Sequence, residues 1–374
     1  LSAAEISFWV ALALLVYTQI GYGLLLGVWG RLAPRRPPAR WITEPPLVSL
    51  IIAAHNEEDV IGARVENLLA LDYPYTEIIV AVDGATDTTA ARAAAAGADR
   101  VMVLARAGKV PAQNAAVAAA EGEIFAFSDA NASWEPDALS RLVDAFGDPR
   151  TGYACGDVTF TAEDGATNQE GLYWRYEMYL RRQESALASI TAGNGAIYAV
   201  RRSAFLVVPP VMSHDISLPF KLVKRGWAAR YVPAARATEK MAPSIEGEFS
   251  RKRRMASRTW PTVLCGGMFS PRGYGPAYLL MIFSHRLLRY LSPLLHLVAL
   301  VANALLLGGS ALYDVTFALQ LAVIGLALAA PWLGLRLALV ARYYVWTTAA
   351  LAAGFVDWLA GRQRVTWERV EGTR

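Results

Sequence analysis

Where the apolar residues fall restricts this chain more than any single motif. Ile6 to Gly30 contains no charged residue. At 1.5 Å per helical residue the stretch is long enough to cross a hydrocarbon core about 30 Å thick. A second apolar block runs from about Tyr290 to Ala360. It divides into Leu291–Leu312, Val315–Leu335 and Tyr343–Ala360, interrupted by Asp314, Arg336 and Arg342, with Asp357 inside the last. The chain is 55% hydrophobic and only 18% charged, against roughly 25% charged residues in ordinary soluble domains. The excess therefore predicts membrane segments in 1–44 and 290–374, around a soluble-looking region 45–260.

Orientation follows from charge. A signal peptide would need a basic leader and a shorter apolar run. Arg31, Arg35, Arg36 and Arg40 follow the first segment and place the next region on the cytoplasmic side of a plasma membrane. Four spans would carry the tail, with Arg362, Arg364, Arg369 and Arg374, to the opposite side, so Tyr343–Ala360 is the candidate for an interfacial or re-entrant segment. Thr262–Phe283, within 261–289, reads as amphipathic and interfacial. A net charge of +4 is too small to point to nucleic acid. Cys155 and Cys265 build no disulfide framework, and with four scattered histidines they offer no zinc spacing.

In 45–260 the periodicity changes. Leu47–Ala53, Glu77–Val82, Arg100–Leu104 and Ile124–Ser128 are short β-rich runs. Helical stretches Asp59–Leu71, Thr86–Ala96 and Val110–Glu121 separate them. This alternation predicts βαβ units, a mostly parallel sheet buried on both faces, and a ligand outside the carboxyl ends of the strands. Those ends carry Ala54-His55-Asn56-Glu57, Asp83-Gly84 and Asp129-Ala130-Asn131. Neither a dinucleotide fingerprint nor a P-loop is present. Carboxylates can accept from a base or ribose, Asp129 and Asn131 can offer oxygens to Mg²⁺ or Mn²⁺, and Lys109 at a helix start can meet a phosphate. The plainer alternative for Asp83 and Asp87 is helix capping.

Five segments in order, VSLIIAAHNEE, VAVDGATDTT, GKVPAQNAA with EGEIFAFSDANA, GNGAIYAVRR and SHDISLPFKLVKRGW, resemble the family 2 glycosyltransferases of GT-A fold. The similarity is to the membrane-embedded branch that includes cellulose, hyaluronan, chitin and poly-N-acetylglucosamine synthases. The resemblance implies an α/β GT-A domain with transmembrane and interfacial helices. It implies inverting transfer from a nucleotide sugar, a UDP-sugar by preference, to a polysaccharide or lipid-linked glycan. It places His55, Glu57, Asp83 and Lys109 at the donor, Asp129 and Asn131 at the metal, and Asp215 at the catalytic base. Asn131 departs from a strict DxD and removes one negative charge.

The remaining positions keep alternatives. Asp215 also reads as an N-cap, and His214 as a metal ligand, a base partner or a spacer. Gly193, Asn194 and Gly195 are either a small-residue turn at the acceptor or a simple turn before a strand. Arg254 and Arg258 suit a diphosphate clamp, and Lys252 and Arg253 suit anionic headgroups. The aromatics Tyr173, Trp174, Tyr176 and Tyr179 read as packing rather than glycan stacking. Polymerising relatives carry QxxRW where this chain has RKRRMASRTW. Trp260 either replaces the acceptor-site tryptophan or is an interfacial aromatic. That departure leaves a single-sugar transferase acting on a polyprenyl-phosphate as the alternative. A non-catalytic export subunit is the reading from another class.

Overall fold

The computed structural model describes residues 1–33, 42, 44–161, 169–240 and 245–362. Arg35, Arg36, Arg40, Arg364, Arg369 and Arg374 of the flanking basic clusters lie outside the described residues, as does Asn168, the expected start of the helix carrying Tyr173 to Tyr179. The first helix, α1 (Ala3–Val16), starts at a capping box between Ser2 and Glu5. It passes through a π-helical turn, Tyr17–Gly21, into α2 (Tyr22–Leu32).

The alternating region follows: β1 (Val48–Ala54), α3 (Ile61–Leu69), β2 (Thr76–Asp83), α4 (Thr89–Ala95), β3 (Arg100–Leu104), α5 (Lys109–Ala119) and β4 (Ile124–Ser128). All of β1 is buried. Val48, Leu50, Ile52 and Ala54 pack into one layer and Ile51 and Ala53 into the other, as a central strand covered on both faces requires. After β5 (Ser133–Trp134), α6 (Ala138–Asp144) and β6 (Thr151–Thr161), helix α7 (Gln169–Leu187) leads to β7 (Ile197–Arg201). Then come α8 (His214–Val223) and β8 (Ala228–Lys240).

One eight-stranded sheet results, ordered β3-β2-β1-β4-β7-β6-β8-β5. Its first four strands are parallel, β7 is antiparallel to β4 and β6, and β8 is parallel to β6. The expected parallel half is thus joined to a mixed half. In the order 2-1-4 the chain reverses about β1, so the ends of β1, β2 and β4 open onto one crevice.

The C-terminal part holds α9 (Ile245–Leu264), α10 (Pro276–Met281), α11 (Leu288–Ala304), α12 (Ala311–Leu333) and α13 (Arg336–Leu359). Among the described residues four helices are long and apolar enough to cross a membrane: Ala3–Leu32, Pro276–Ala304, Ala311–Leu333 and Arg336–Leu359. Element bounds here differ from the sequence expectation. Thr262 belongs to α9, and one helix starts at Pro276, in place of an interfacial stretch to Phe283 and a span from Leu291. Pro276 follows Gly275 as a helix-starting residue. Ser284-His285-Arg286, which reads as a membrane boundary, is instead buried inside that helix. Likewise α13 starts at Arg336, not at Tyr343. It runs beside α9 in the same direction, with Phe249 against Trp346, Ala256 against Gly354 and Trp260 against Phe355.

Aromatic residues of α7 pack, as expected. Tyr176 and Tyr179 enter a seam left by Gly23, Gly27 and Gly30 of α2. A Cβ on Gly27 would stand 2.5 Å from the Tyr179 hydroxyl. The indole N–H of Trp174 donates to the Val158 carbonyl (2.7 Å).

Candidate active site

The crevice is organised from the strand ends outward. Directly after β1, Asn56 adopts φ 53°, a left-handed conformation that asparagine tolerates. Its side-chain oxygen accepts from the Thr86 N–H (2.8 Å). The neighbouring side chains are thereby fixed. His55 donates through Nδ1 to the Asp83 carbonyl (2.7 Å), and Glu57 is buried, with its N–H donating to Thr89 Oγ1 (2.8 Å).

Asp83 ends β2 fully buried. Its carboxylate accepts from Ala107 N–H (2.6 Å), Gly108 N–H (2.9 Å) and Arg106 Nη1 (2.9 Å). Asp83 therefore shapes the β3–α5 loop. Gly108 sits there at φ 106°, which a side chain would strain, and the loop delivers Lys109 to the first turn of α5. Thr88 is the N-cap of α4, and Asp87 just before it accepts from Thr89 N–H (3.0 Å) and Glu58 N–H (3.2 Å).

Lys109 is the electrostatic centre. Its ammonium forms an ion pair with Asp129. Burial alone would lower its pKa, but the carboxylates of Asp129, Asp215 and Glu239 outweigh that and raise it. Glu239, near the end of β8, escaped the sequence reading because nothing in a long strand marks one acid as inward-acting. Arg64 escaped it too. This arginine on α3 is buried, hydrogen-bonded to Asn67 and lies 5.0 Å from the centre of the Trp134 ring. Burial pushes it down to about 9 against the pull of Asp129.

On the mixed half, Ser213 is the N-cap of α8 and Asp215 stands in its first turn, so Asp215 is not the cap. Its backbone carbonyl accepts from Gly193 N–H (2.7 Å). Asn194 locks the same turn to Gly156 (2.7 Å) and Ile197 (3.0 Å). At Gly195 an added Cβ would be 3.5 Å from both Asp129 Oδ2 and Lys109 Nζ. The missing side chain thus leaves room at the charged centre. His214 is buried against Phe127, Tyr198 and Phe205, with Nδ1 3.0 Å from the Tyr198 hydroxyl. Burial, then Lys109, push its pKa down to about 3, so it stays neutral.

Three basic or aromatic expectations change. Trp260 is buried in helix packing, 4.7 Å from Phe355 and 5.6 Å from Tyr290 by ring centres, with its N–H donating to the Leu351 carbonyl (3.2 Å). Of the two alternatives, these contacts show a packed aromatic that α13 covers. Arg253 pairs with Asp357 (2.6 Å) and Lys252 bonds Tyr343, which ties α9 to α13 where headgroup contact was expected. Arg254 and Arg258 are neighbours on α9, turned from the Ala256–Trp260 face. Burial and then Arg254 lower the pKa of Arg258.

A divalent cation fits the Asp129–Asn131 turn by donor chemistry. Asp129 already engages a cation, the Lys109 ammonium, and Gly195 leaves space beside its other oxygen. Among the described residues no three His, Cys, Asp or Glu side chains form a metal cage. Two protein oxygens with the rest of the shell from phosphate and water is the usual Mg²⁺ arrangement.

Residues 49–206 match glycosyl transferase family 2. A β-monoglucosyldiacylglycerol synthase of Nostoc sp. is 29% identical over 197 residues, 49% of this chain and 42% of that protein. The poly-β-1,6-N-acetyl-D-glucosamine synthase of Staphylococcus aureus is 23% identical over 220 residues, 56% of this chain and 53% of that protein. This chain thus spans about half the length of the curated relatives it matches. A solved structure, the mannosyltransferase PcManGT from Pyrobaculum calidifontis in complex with GDP-Man and Mn²⁺, is 22% identical. It aligns with a TM-score of 0.73 over 96% of this chain and 100% of that one. The likeness in fold therefore takes in the terminal helices as well as the sheet. Residues 49–206 thus match a family 2 glycosyltransferase domain, and the chain takes up a GT-A fold.

Proposed function

We propose that the protein transfers one sugar, with inversion, from a nucleotide sugar to a lipid-linked acceptor at the cytoplasmic face of a membrane, with a UDP-sugar as donor. The Lys109–Asp129 ion pair beside Gly195, in the turn whose Gly193 N–H donates to the Asp215 carbonyl, supports this reading. In this reading a cation-binding turn, a phosphate-seeking ammonium and a candidate base share one space. Asp129 and Asn131 would hold Mg²⁺ or Mn²⁺, which when bound neutralises charge on the departing diphosphate.

The chain's own groups do the rest. Lys109, at the N-terminus of α5, shifts from Asp129 to the diphosphate, where the helix end also favours an anion. His55 and Glu57 frame the nucleoside, and Asp83 sets the loop that carries Lys109. Arg254 and Arg258 offer further positive charge from α9. The acceptor hydroxyl enters over Gly195. As its oxygen bonds to the anomeric carbon, the carbon–oxygen bond to the diphosphate breaks on the opposite side. Asp215 takes the hydroxyl proton.

Single addition is favoured over polymerisation because Trp260 is engaged by Phe355, Tyr290 and Leu351 and is not available to floor a polymer. Asp215→Asn is expected to lower transfer by about 10²–10⁴-fold with nucleotide binding retained. Undiminished turnover would remove Asp215 from the role of base. Sizing of radiolabelled product separates one added sugar from a ladder, and absence of nucleoside diphosphate release with every donor and metal tried would favour a non-catalytic subunit.

A further inference from the structure

The helix Pro276–Ala304 is apolar enough to cross a membrane, yet Ser284, His285 and Arg286 lie buried within it at 0%, 2% and 8% exposure. They fall in a π-helical turn, Ile282–Leu287, which faces the other π-turn, Tyr17–Gly21, through a 2.8 Å hydrogen bond between Tyr17 and Ser284 hydroxyls. Such turns often mark functional positions. Buried polar groups need partners, and His285 Nδ1 and Arg286 find theirs on the sheet domain. His285 Nδ1 is 2.6 Å from Glu184 and its Nε2 is 3.4 Å from Glu177, both on α7. Tyr22 donates to Glu184 (2.7 Å), and Arg289 pairs with Glu177.

The network reaches the segment between α7 and β7. Arg286 Nε donates to Thr191 Oγ1 (2.9 Å), whose own N–H and hydroxyl donate to Glu184 (3.2 and 3.1 Å). Two turns earlier on the same helix, the Tyr278 hydroxyl donates to the Ile190 carbonyl (3.0 Å). From α7, Arg181 Nη2 donates to the Gly193 carbonyl (3.1 Å), and Gly193 N–H donates to the Asp215 carbonyl (2.7 Å). Ile190, Thr191 and Gly193 are thus held in succession, and the last of them holds the residue read as the base.

We propose that Tyr278 and Arg286, on a membrane-length helix, are positioning residues for catalysis. They clamp Ile190 and Thr191, and through Gly193 they set Asp215 against the acceptor hydroxyl. The inference rests on the reading of Asp215 as base. It gives the membrane helix a part in the chemistry beyond anchoring: its seating in the bilayer and the alignment of the base are mechanically one quantity.

The test uses the full chain in lipid nanodiscs, with Tyr278→Phe, which removes one hydroxyl, and Arg286→Gln, which keeps an N–H donor but removes the charge. A misalignment well under 1 Å should lower kcat about threefold in Tyr278→Phe and about tenfold in Arg286→Gln, with donor KM and calorimetric nucleotide affinity unchanged. Arg286→Lys should recover part of the loss. Wild-type kcat in both variants overturns the proposal, as does a fall in nucleotide affinity equal to the fall in kcat, which would mean general loosening. If Arg286→Gln does not fold, Tyr278→Phe alone decides. Asp215→Asn run alongside separates the two readings. Full activity there removes the base, whereas its inactivity beside wild-type kcat in the two variants removes only the clamp.

Discussion

Two clusters of buried charge lie on either side of Gly193, and they are built differently. At the strand ends, Lys109 and Asp129 form an ion pair in which each side chain keeps 28% of its surface exposed. That pair borders the space left by Gly195. At the junction with the membrane-length helix Pro276–Ala304, Glu177, Glu184 and His285 expose 9%, 1% and 2% of their side chains, and each faces a partner on another element. Burial raises the pKa of Glu177, but Arg289 and then His285 outweigh it and hold that carboxylate well below its usual range. Glu184 is likewise held low, by His285 and Arg286 against burial. The Lys109–Asp129 pair, which the proposed transfer requires to change partners, is partly wet. Charges whose partners never change can be closed off, because only then does neighbouring charge repay desolvation.

The sharpest way to break this comparison is to remove one acid from each cluster. Asp129→Ala should leave a folded protein whose turnover falls by at least about 10²-fold, with loss of Mn²⁺ binding in nucleotide-loaded enzyme followed by electron paramagnetic resonance. Glu184→Ala should do the reverse at the level of folding. It strands His285, Tyr22 and Thr191, and breaking a buried pair costs about 3–5 kcal/mol, read as a lowered unfolding midpoint by tryptophan fluorescence in detergent. A stable Glu184→Ala, or an Asp129→Ala that unfolds, would erase the distinction.

The two clusters also differed in how far sequence could reveal them. The parallel half of the sheet was legible: expected and observed bounds agree at Arg100–Leu104 and Ile124–Ser128 and differ by one residue at each end of β1. Continuous apolar runs punctuated by glycine and acid leave little else to fold into. His55, Asp83, Lys109 and Asp129 gather there because they stand at strand ends or open a helix, and Gly195 joins them from the turn before β7, whose Ile197 pairs with Ser128. The junction was opaque. Glu177, Glu184 and His285 stand far apart in the chain, and a polar triplet in an apolar run reads as a boundary unless its partners are known. Trp260 misled for a related reason, since a tryptophan's covering helix, α13, lies 91 residues away in the 260-to-351 contact.

A smaller effect tests how the junction is seated. Gly23, Gly27 and Gly30 let α2 approach α7, and in membranes small residues serve this purpose. Gly27→Leu would drive a side chain into the Tyr179 hydroxyl. Overpacking of this kind costs about 1–3 kcal/mol. The expected result is a lowered midpoint with nucleotide affinity intact, because Gly23, Gly27 and Gly30 face Tyr176, Tyr179 and Gln183 of α7. Loss of nucleotide binding in folded Gly27→Leu would mean that the two clusters are not separable.

The smallest expected effect comes from His214, which sits beside Lys109 yet is closed off like the junction residues. Burial first, and then Lys109, hold its pKa at about 3 in the folded protein, whereas an unfolded histidine titrates near 6.5. Between these values the unfolded chain binds the extra proton, so stability rises with pH across the window and levels off above it. The contribution is fully present at pH 8, reduced by about 0.8 kcal/mol at pH 6, and lost progressively further down. Unfolding midpoints at pH 8 and pH 6 should therefore separate less in His214→Phe, which fills the aromatic cage of Phe127, Tyr198 and Phe205 without a titrating ring. Activity gives the complementary readout. Because His214 remains neutral through pH 5–8, its titration cannot shape the rate profile there, and an acid limb of kcat present in wild type should survive in His214→Phe. A limb that disappears with the imidazole would show that His214 exchanges protons during turnover, and would move it from the closed class of buried groups to the one that works by changing partners.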